Sequence, residues 1–314
     1  MSKSRQISCR LLVLLLLCAC RPAAAQVPPA LADRIQSAGR VLDPRGMAAL
    51  YAPLHAQEPY AGVQVARDLA YGDEAAQRLD LFVDEAASTS PRPVLVFVHG
   101  GGFQSGDKHR AGTPFYDNVM LWAAREGFVG VNLNYRTGVQ NPWPASSEDL
   151  GLAIRWIQQQ IAGHGGDPKR IYLVGHSAGA ALTASYVVHP RFHSATGSGL
   201  AGALLLSGFA YDLGQRDDPV IKVYFGSDPG LYPERTPLDG LVKSSVPMFV
   251  AYAEFDLPDE EFQSLRLNNA LCAAGRCPTL VRLAGHNHMS TVYSINTSDR
   301  QLGDAMLTFI RKVR

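Results

Sequence analysis

A single serine stands between two glycines in the segment VGHSAGAALTA, residues 174–184. The apolar residues before it predict a strand and the alanine-rich run after it predicts a helix, so Ser177 lies on the turn between them. Glycines two positions either side leave room for a tight turn, and the helix N-terminus that follows favours developing negative charge. The flanks favour a nucleophilic serine over one that only caps a helix.

A second signal is the segment HGGGF (99–103), which ends an apolar run. Adjacent glycines free the backbone to direct N–H groups at an oxyanion, as acyl transfer requires. We predict that the amides of Gly101, Gly102 and Ala178 form this oxyanion hole, and that His99 holds the loop by hydrogen bonds. The segment lacks both G-x-G-x-x-G and the Walker lysine pattern, which argues against a phosphate site.

A serine nucleophile needs a base and a carboxylate that orients the base. Asp256 is the predicted acid, with Glu254 and Asp259 as weaker contenders, because this segment follows a predicted strand. His286 and His288 follow the last predicted strand, and their chemistry alone does not separate them. An H-x-H pair can also bind a metal, but no third ligand at a suitable spacing is present, so no metal is predicted.

Strands and helices alternate along most of the chain, which predicts a mostly parallel central sheet flanked by helices, with an antiparallel edge at its start. A helix over 146–165 is expected to begin with a capping box of Ser146 and Asp149. The insertion near 210–245 is predicted to be irregular and to form a small cap. GDKHR (106–110) is predicted to be a solvated loop at the mouth of the cleft. The predicted strands are 63–72, 77–84, 93–103, 127–136, 170–179, 201–209, 246–252 and 279–285, and the other helices are 115–126, 178–188, 259–273 and 299–313.

The first 25 residues resemble a bacterial export signal. A basic start is followed by the apolar stretch LLVLLLLCA (11–19) and by AAA at 23–25, which predicts cleavage before Gln26. LCAC also resembles a lipobox, which would leave Cys20 lipidated. Such a lipid anchor is the only membrane attachment that the sequence predicts. The sequence thus predicts a signal peptide over 1–25, an N-terminal lead or cap segment over 26–60 and a catalytic domain over 61–314, in a periplasmic or secreted protein.

Export would change both the charge balance and the cysteine count of the protein. The formal charge of +1 comes from 29 basic and 28 acidic residues. Loss of the four basic residues of the leader leaves 25 against 28, or −3, with no basic patch to favour nucleic acid. Cys272 and Cys277 bracket a glycine-containing turn and are predicted to form a structural disulfide; two cysteines without a nearby histidine make at most half a metal site.

Taken together, these motifs resemble those of the α/β-hydrolase carboxylesterases related to hormone-sensitive lipase, a group that includes feruloyl-esterase-like enzymes and arylformamidases. The resemblance covers roughly residues 62–313. It implies that His288, before Met289, is the catalytic histidine, and that Asp149 and Arg136 have structural roles. The segments that carry it are HGGGF, NYR (134–136), WPASSEDLGLAIRWI (143–157), GGDPKRIYLVGHSAG (165–179), EFD (254–256) and GHNHMS (285–290).

The expected function is that of an exported serine esterase acting on short-chain or aryl carboxylic esters through an acyl-enzyme, without cofactor or metal. The sequence leaves open an arylformamidase-like amidase or a lactonase that uses the same Ser177, Asp256 and His288. A catalytically silent binding protein of the same fold is a further alternative. The natural substrate, the acyl length and the oligomeric state are not indicated by the sequence.

Overall fold

The computed structural model describes residues 27–86, 88–214 and 218–313. Eight strands form one sheet in the order β1-β2-β4-β3-β5-β6-β7-β8. The strands are β1 Val63–Ala70, β2 Arg78–Asp84, β3 Arg92–Val98, β4 Val129–Leu133, β5 Gly166–His176, β6 Leu200–Leu206, β7 Met248–Phe255 and β8 Thr279–Asn287.

The predicted antiparallel edge and parallel centre are both confirmed. β2 pairs antiparallel with β1 and with β4, whereas β4, β3, β5, β6, β7 and β8 run parallel to one another. Every side chain from Val94 to Val98 is buried, as expected for a strand covered by helices on both faces. The carboxyl ends of β3, β5, β7 and β8 meet at one edge of the sheet, where open α/β sheets place their sites.

Eleven α-helices accompany the sheet in the described residues, and five of them lie where the sequence predicts helices. The insertion near 210–245, predicted to be irregular, contains three further short helices, each of which begins at or beside a proline. The helices are α1 Pro29–Ala38, α2 Pro44–Tyr51, α3 Asp117–Arg125, α4 Ala145–Gln160, α5 Ala178–Val188, α6 Pro219–Phe225, α7 Tyr232–Arg235, α8 Leu238–Lys243, α9 Pro258–Ala273, α10 Ser290–Tyr293 and α11 Gln301–Lys312.

The predicted capping box at the start of α4 is wrong. The helix begins at Ala145, and Pro144 at its N-cap makes no side-chain cap. The buried carboxylate of Asp149 instead accepts hydrogen bonds from the backbone N–H and Nε of Arg136, at 2.7 and 2.9 Å, and from Nε2 of Gln77 at 2.6 Å. The implied structural roles of Asp149 and Arg136 fit this pairing, because a buried charge requires such partners.

The leader and its lipobox lie outside the described residues. Across 27–86, 88–214 and 218–313, no helix combines the length and the apolar character needed to cross a bilayer. The Sγ atoms of Cys272 and Cys277, at the end of α9 and after it, lie 2.10 Å apart, which is bonding distance.

Candidate active site

Ser177 occupies a strained turn between β5 and α5. Its φ and ψ angles are 57° and −125°, a region that residues with a Cβ rarely adopt. Because strain of this kind persists only where the surrounding structure enforces it, the turn is maintained by its packing and marks a candidate site. The serine hydroxyl is thereby presented at the carboxyl edge of the sheet, at the N-terminus of α5.

The two glycines of the turn are required by contact, as the sequence predicts. A Cβ on Gly175 would lie 2.2 Å from the carbonyl oxygen of Gly179, and a Cβ on Gly179 would lie 2.1 Å from that of Val98. Backbone atoms cannot yield as a flexible side chain does. The helix that carries Ser177 therefore packs directly on the end of β3.

We expect Gly179→Ala to lower the free energy of unfolding by about 1–3 kcal/mol, the usual cost of overpacking, and to reduce turnover by displacing Ser177. Urea unfolding and an ester assay measure the two effects. Gly163→Ala is the matched control, because a Cβ there meets nothing within 4 Å. Equal stability of the two variants would contradict this view of the turn.

The glycine loop after β3 lies against Ser177. A Cβ on Gly100 would lie 2.8 Å from the Ser177 Cβ and 3.4 Å from its Oγ. Gly101 and Gly102 have φ values of 127° and 60°, which glycine adopts readily. The Ala178 N–H belongs to the first turn of α5 and has no acceptor within the helix. The three predicted oxyanion donors thus belong to two adjoining segments beside the serine.

His99 holds this loop, as predicted. Its Nδ1 donates to the carbonyl oxygen of Gly100 at 2.7 Å, while the hydroxyl of Tyr135 donates to the His99 carbonyl at 2.6 Å. The His99 ring is buried and stacks on Tyr135 with centroids 4.5 Å apart. Burial lowers the pKa of His99, so the ring is neutral near pH 7.

The predicted acid and one of the two predicted histidines are in contact. Nδ1 of His288, just after β8, donates to Oδ1 of Asp256, just after β7, at 2.9 Å. Oδ2 of the same carboxylate accepts the backbone N–H of Ala253 at 2.7 Å. Both side chains are buried, and this arrangement leaves Nε2 as the nitrogen available for proton transfer.

The electrostatics of His288 suit a base. Burial alone would lower the pKa of His288, but the hydrogen bond and charge of Asp256, with a contribution from Glu260, raise it above its ordinary value. His176 packs against this ring with centroids 4.7 Å apart and donates from Nε2 to the His288 carbonyl oxygen at 3.0 Å. Burial, followed by the charge of His288, holds the pKa of His176 well below its ordinary value.

The other contenders have different partners. His286 Nε2 lies 3.0 Å from Oδ2 of Asp299, and its Nδ1 lies 3.1 Å from the hydroxyl of Ser290. Glu254 accepts the backbone N–H of Gly285 at 2.8 Å, which lowers the pKa of its partly exposed carboxyl. Asp259 lies in the first turn of α9. The structure therefore separates His288 from His286, which the residue types could not do.

Sequence reasoning missed Glu260, a second carboxyl near the histidine. It lies in the first turn of α9, is 6% exposed, and its Oε2 has no hydrogen-bond partner in the described structure. Burial raises the pKa of Glu260 to about 7, against the lowering effect of the His288 charge. No motif marks this residue, because it reaches the site only through the orientation of α9.

Ser177 and His288 line one cleft of about 290 Å³. The glycine loop forms one part of its wall, and Leu42 and Pro44 of the N-terminal segment border it. The sequence predicts that the segment 106–110 lies at the cleft mouth, and Gly106, Asp107 and Arg110 of that segment do line the wall. It did not predict four other wall residues, which are Ser105, Tyr116, Met289 and Tyr293. A strained serine, a carboxylate-paired imidazole and free backbone amides around one cleft can perform acyl transfer.

The sheet order, the turn after β5 and the positions of Ser177, His288 and Asp256 at one edge of the sheet are those of the α/β-hydrolase fold. The BD-FAE family model matches residues 79–192, which include the glycine loop and the serine turn. Esterase B from Lactobacillus rhamnosis, in a structure inhibited by a tributyrin phosphonate, aligns with 91% of this chain and 97% of its own, with a TM-score of 0.69 and 18% identity.

Sequence relatives within this class are esterases. Esterase LipQ of Mycobacterium tuberculosis is 26% identical over 236 residues, which cover 69% of this chain and 55% of LipQ. Esterase B1 of Culex pipiens is 36% identical over 128 residues, or 37% of this chain and 23% of that protein. The chain thus spans about half or less of these relatives. In sequence it is similar to carboxylesterases over these segments.

Proposed function

We propose that this protein is a serine carboxylesterase that hydrolyses short-chain or aryl esters. The observation that carries the proposal is the convergence of Ser177, the glycine loop and the Asp256-bound His288 on one cleft. The names of the sequence relatives support the ester bond as the target. The modest volume of the cleft, about 290 Å³, favours small acyl or aryl groups.

The contacts support a mechanism that passes through an acyl-enzyme. Ser177 Oγ attacks the ester carbonyl carbon while Nε2 of His288 accepts its proton, and Asp256 stabilises the resulting imidazolium through Nδ1–H. The amides of Gly101, Gly102 and Ala178 donate to the oxyanion. The alcohol leaves with the proton from His288, and the acyl group stays on Ser177. Water, deprotonated by His288, then attacks the acyl-enzyme and releases the carboxylic acid.

Matched substrates test the ester assignment. We expect kcat/KM for phenyl acetate to exceed that for acetanilide and formanilide by several orders of magnitude, because the phenolate leaves far more readily than the anilide. A higher kcat/KM for formanilide would favour the arylformamidase alternative. A fluorophosphonate probe is expected to label the wild-type protein, whereas a silent binding protein would stay unlabelled.

The pH dependence of kcat/KM should report the titration of the His288 imidazole. The neutral imidazole is the active form, so activity rises with pH as His288 loses its proton. Because the pKa of His288 is raised, the midpoint is expected above the ordinary value of 6.5. Glu260→Gln removes the negative charge that Glu260 carries above its pKa of about 7, and should therefore move this midpoint to lower pH.

Glu261→Gln is the control for that experiment. Glu261 occupies the same helical turn but pairs with Arg40 at 2.7 Å on the surface. Its loss should leave the midpoint in place. If both variants shift the profile equally, or neither does, the assigned effect of Glu260 on His288 is wrong.

We also propose that the protein is exported, that residues 1–25 are removed, and that Cys272 and Cys277 are disulfide-bonded. The basic and apolar leader and the bonding distance between the two sulfur atoms support this. Intact mass of the protein from periplasmic or culture fractions is expected to place Gln26 first and to show two hydrogens fewer than the reduced chain. A diacylglyceryl group on Cys20 would indicate export as a lipid-anchored protein instead of a soluble one. A cytoplasmic chain that retains Met1 would contradict export.

A further inference from the structure

Three consecutive basic residues follow the glycine loop, and two of them point into the protein. Nζ of Lys108 lies 2.7 Å from Asp68 and 2.8 Å from Asp80, and only 4% of the residue is exposed. His109 Nδ1 lies 3.0 Å from the buried carboxylate of Asp117. The predicted solvated loop over 106–110 is therefore wrong for Lys108, whose charge anchors it.

The loop backbone is also held at this point. The Lys108 N–H donates to Oδ1 of Asn134 at 2.5 Å, and Nδ2 of the buried Asn132 donates to the Lys108 carbonyl oxygen. The Arg110 N–H donates to the Phe115 carbonyl oxygen at 3.0 Å. These bonds fix the base of the Arg110 side chain close to the cleft.

Arg110, the third basic residue, differs from its two neighbours. It is exposed and lines the same cleft as Ser177 and His288. Its positive charge acts on the hydroxyls of Tyr116 and Tyr293, which line that cleft as well. Within the described ranges, no carboxylate pairs with its guanidinium, although Lys108 and His109 both have such partners.

The cleft wall also contains one carboxyl group, that of Asp107, which is hydrogen-bonded to its own loop and to Asn134. Oδ1 of Asp107 accepts the backbone N–H of His109 at 3.0 Å and Nδ2 of Asn134 at 3.2 Å. Apolar side chains, those of Leu42, Pro44 and Met289, border another part of the cleft. An anion entering this cleft would therefore find one guanidinium that pairs with no carboxylate of the described residues.

We propose that Arg110 determines substrate specificity by binding a negatively charged group of the ester. This inference rests on the proposed esterase function and narrows its substrate class to esters that carry a carboxylate near the scissile bond. The planar guanidinium offers two parallel N–H donors that match the two oxygens of a carboxylate. The hydrophobic wall residues would contact the uncharged part of such a molecule.

Two pairs of isosteric esters test the proposal, one for each side of the scissile bond. On the acyl side, monophenyl glutarate is compared with phenyl 4-carbamoylbutanoate. On the alcohol side, 4-acetoxybenzoate is compared with 4-acetoxybenzamide. In at least one pair, we expect the wild-type kcat/KM for the anion to exceed that for the amide about tenfold, the low end for a charge-assisted hydrogen bond.

Three variants then test whether Arg110 causes the preference for the anion. Arg110→Gln should lower the anion-to-amide ratio of kcat/KM about tenfold, and Arg110→Lys should lower it less, because the charge remains and the paired donors are lost. Arg311→Gln, on the exposed surface of α11 and outside the cleft wall, should leave the ratio unchanged. Raising NaCl from about 0.05 to 0.5 M should weaken the wild-type preference by screening.

Each outcome bears on a separate claim. Wild-type ratios near one in both pairs, or a preference that survives Arg110→Gln, would overturn the role of Arg110 and leave the esterase proposal standing. Failure of the wild-type protein to hydrolyse any of the four esters would overturn the esterase proposal and this inference together. A preference for the anion that is lost in Arg110→Gln and retained in Arg311→Gln would support the proposed role of Arg110.

Discussion

Ser177→Ala is expected to reduce kcat/KM for a short-chain p-nitrophenyl ester by about 10⁴–10⁶-fold, leaving only the residual effect of binding and the oxyanion hole. The physical reason is that no other hydroxyl is placed on the strained turn beside the glycine loop. Alanine is smaller than serine and does not add a clash at the turn, so the variant should fold. Steady-state kinetics and urea unfolding together separate lost chemistry from lost structure.

Ser37→Ala is the control, since Ser37 lies exposed on α1 and its hydroxyl donates only to the Asp33 carbonyl oxygen. Its kcat/KM should equal that of the wild type. Wild-type turnover in Ser177→Ala would remove the basis for acyl-enzyme chemistry in this protein.

Asp256→Asn is expected to lower kcat by about 10³–10⁴-fold. The carboxylate accepts Nδ1–H of His288 and so holds the imidazole with Nε2 free. An asparagine that donates its amide N–H to Nδ1 would leave the proton on Nε2, which then cannot accept the proton of Ser177. The variant should also lose the ascending pH limb near neutrality, because the charge that raises the pKa of His288 is gone.

Glu254→Gln provides the comparison, since Glu254 is the neighbouring acidic residue and bonds to the backbone N–H of Gly285 instead of to the histidine. We expect its kcat to stay within about tenfold of the wild type, because only an indirect contact changes. A larger loss in Glu254→Gln than in Asp256→Asn would show that the acid has been assigned to the wrong residue.

The parts of the site that depend on local backbone geometry were predictable from the sequence. Gly175 and Gly179 mark the serine turn because a Cβ on either residue would lie only 2.1–2.2 Å from a backbone carbonyl oxygen. Buried strands read as apolar runs, so the order of the segments that end at the site was also predictable. Asp256 followed from its position just after such a strand.

Features that depend on tertiary contacts were not predictable. Asp149 looked like a capping residue, but Arg136 and Gln77, distant in sequence, bind its carboxylate instead. Lys108 looked like a solvated lysine, whereas Asp68 and Asp80 bind it in the interior. In both cases, the residue's own segment contains no information about the charge that it meets after folding.

His286 and His288 show the same limit within the site. His286 lies at the end of β8 and His288 directly after it, both are buried, and both lie 2.9–3.0 Å from a carboxylate oxygen. Only the identity of that carboxylate distinguishes them. Asp256 follows β7, at the edge of the sheet that carries Ser177, whereas Asp299 precedes α11.

The most direct test is to identify the atom that becomes covalently modified. The purified protein is treated with a fluorophosphonate, digested, and analysed by tandem mass spectrometry. The structure predicts one adduct, on Ser177 in the peptide containing GHSAG, and none in Asp256→Asn under the same brief exposure. An adduct on a different serine, or a native and folded protein that stays unmodified, would contradict the assignment of Ser177 as the nucleophile.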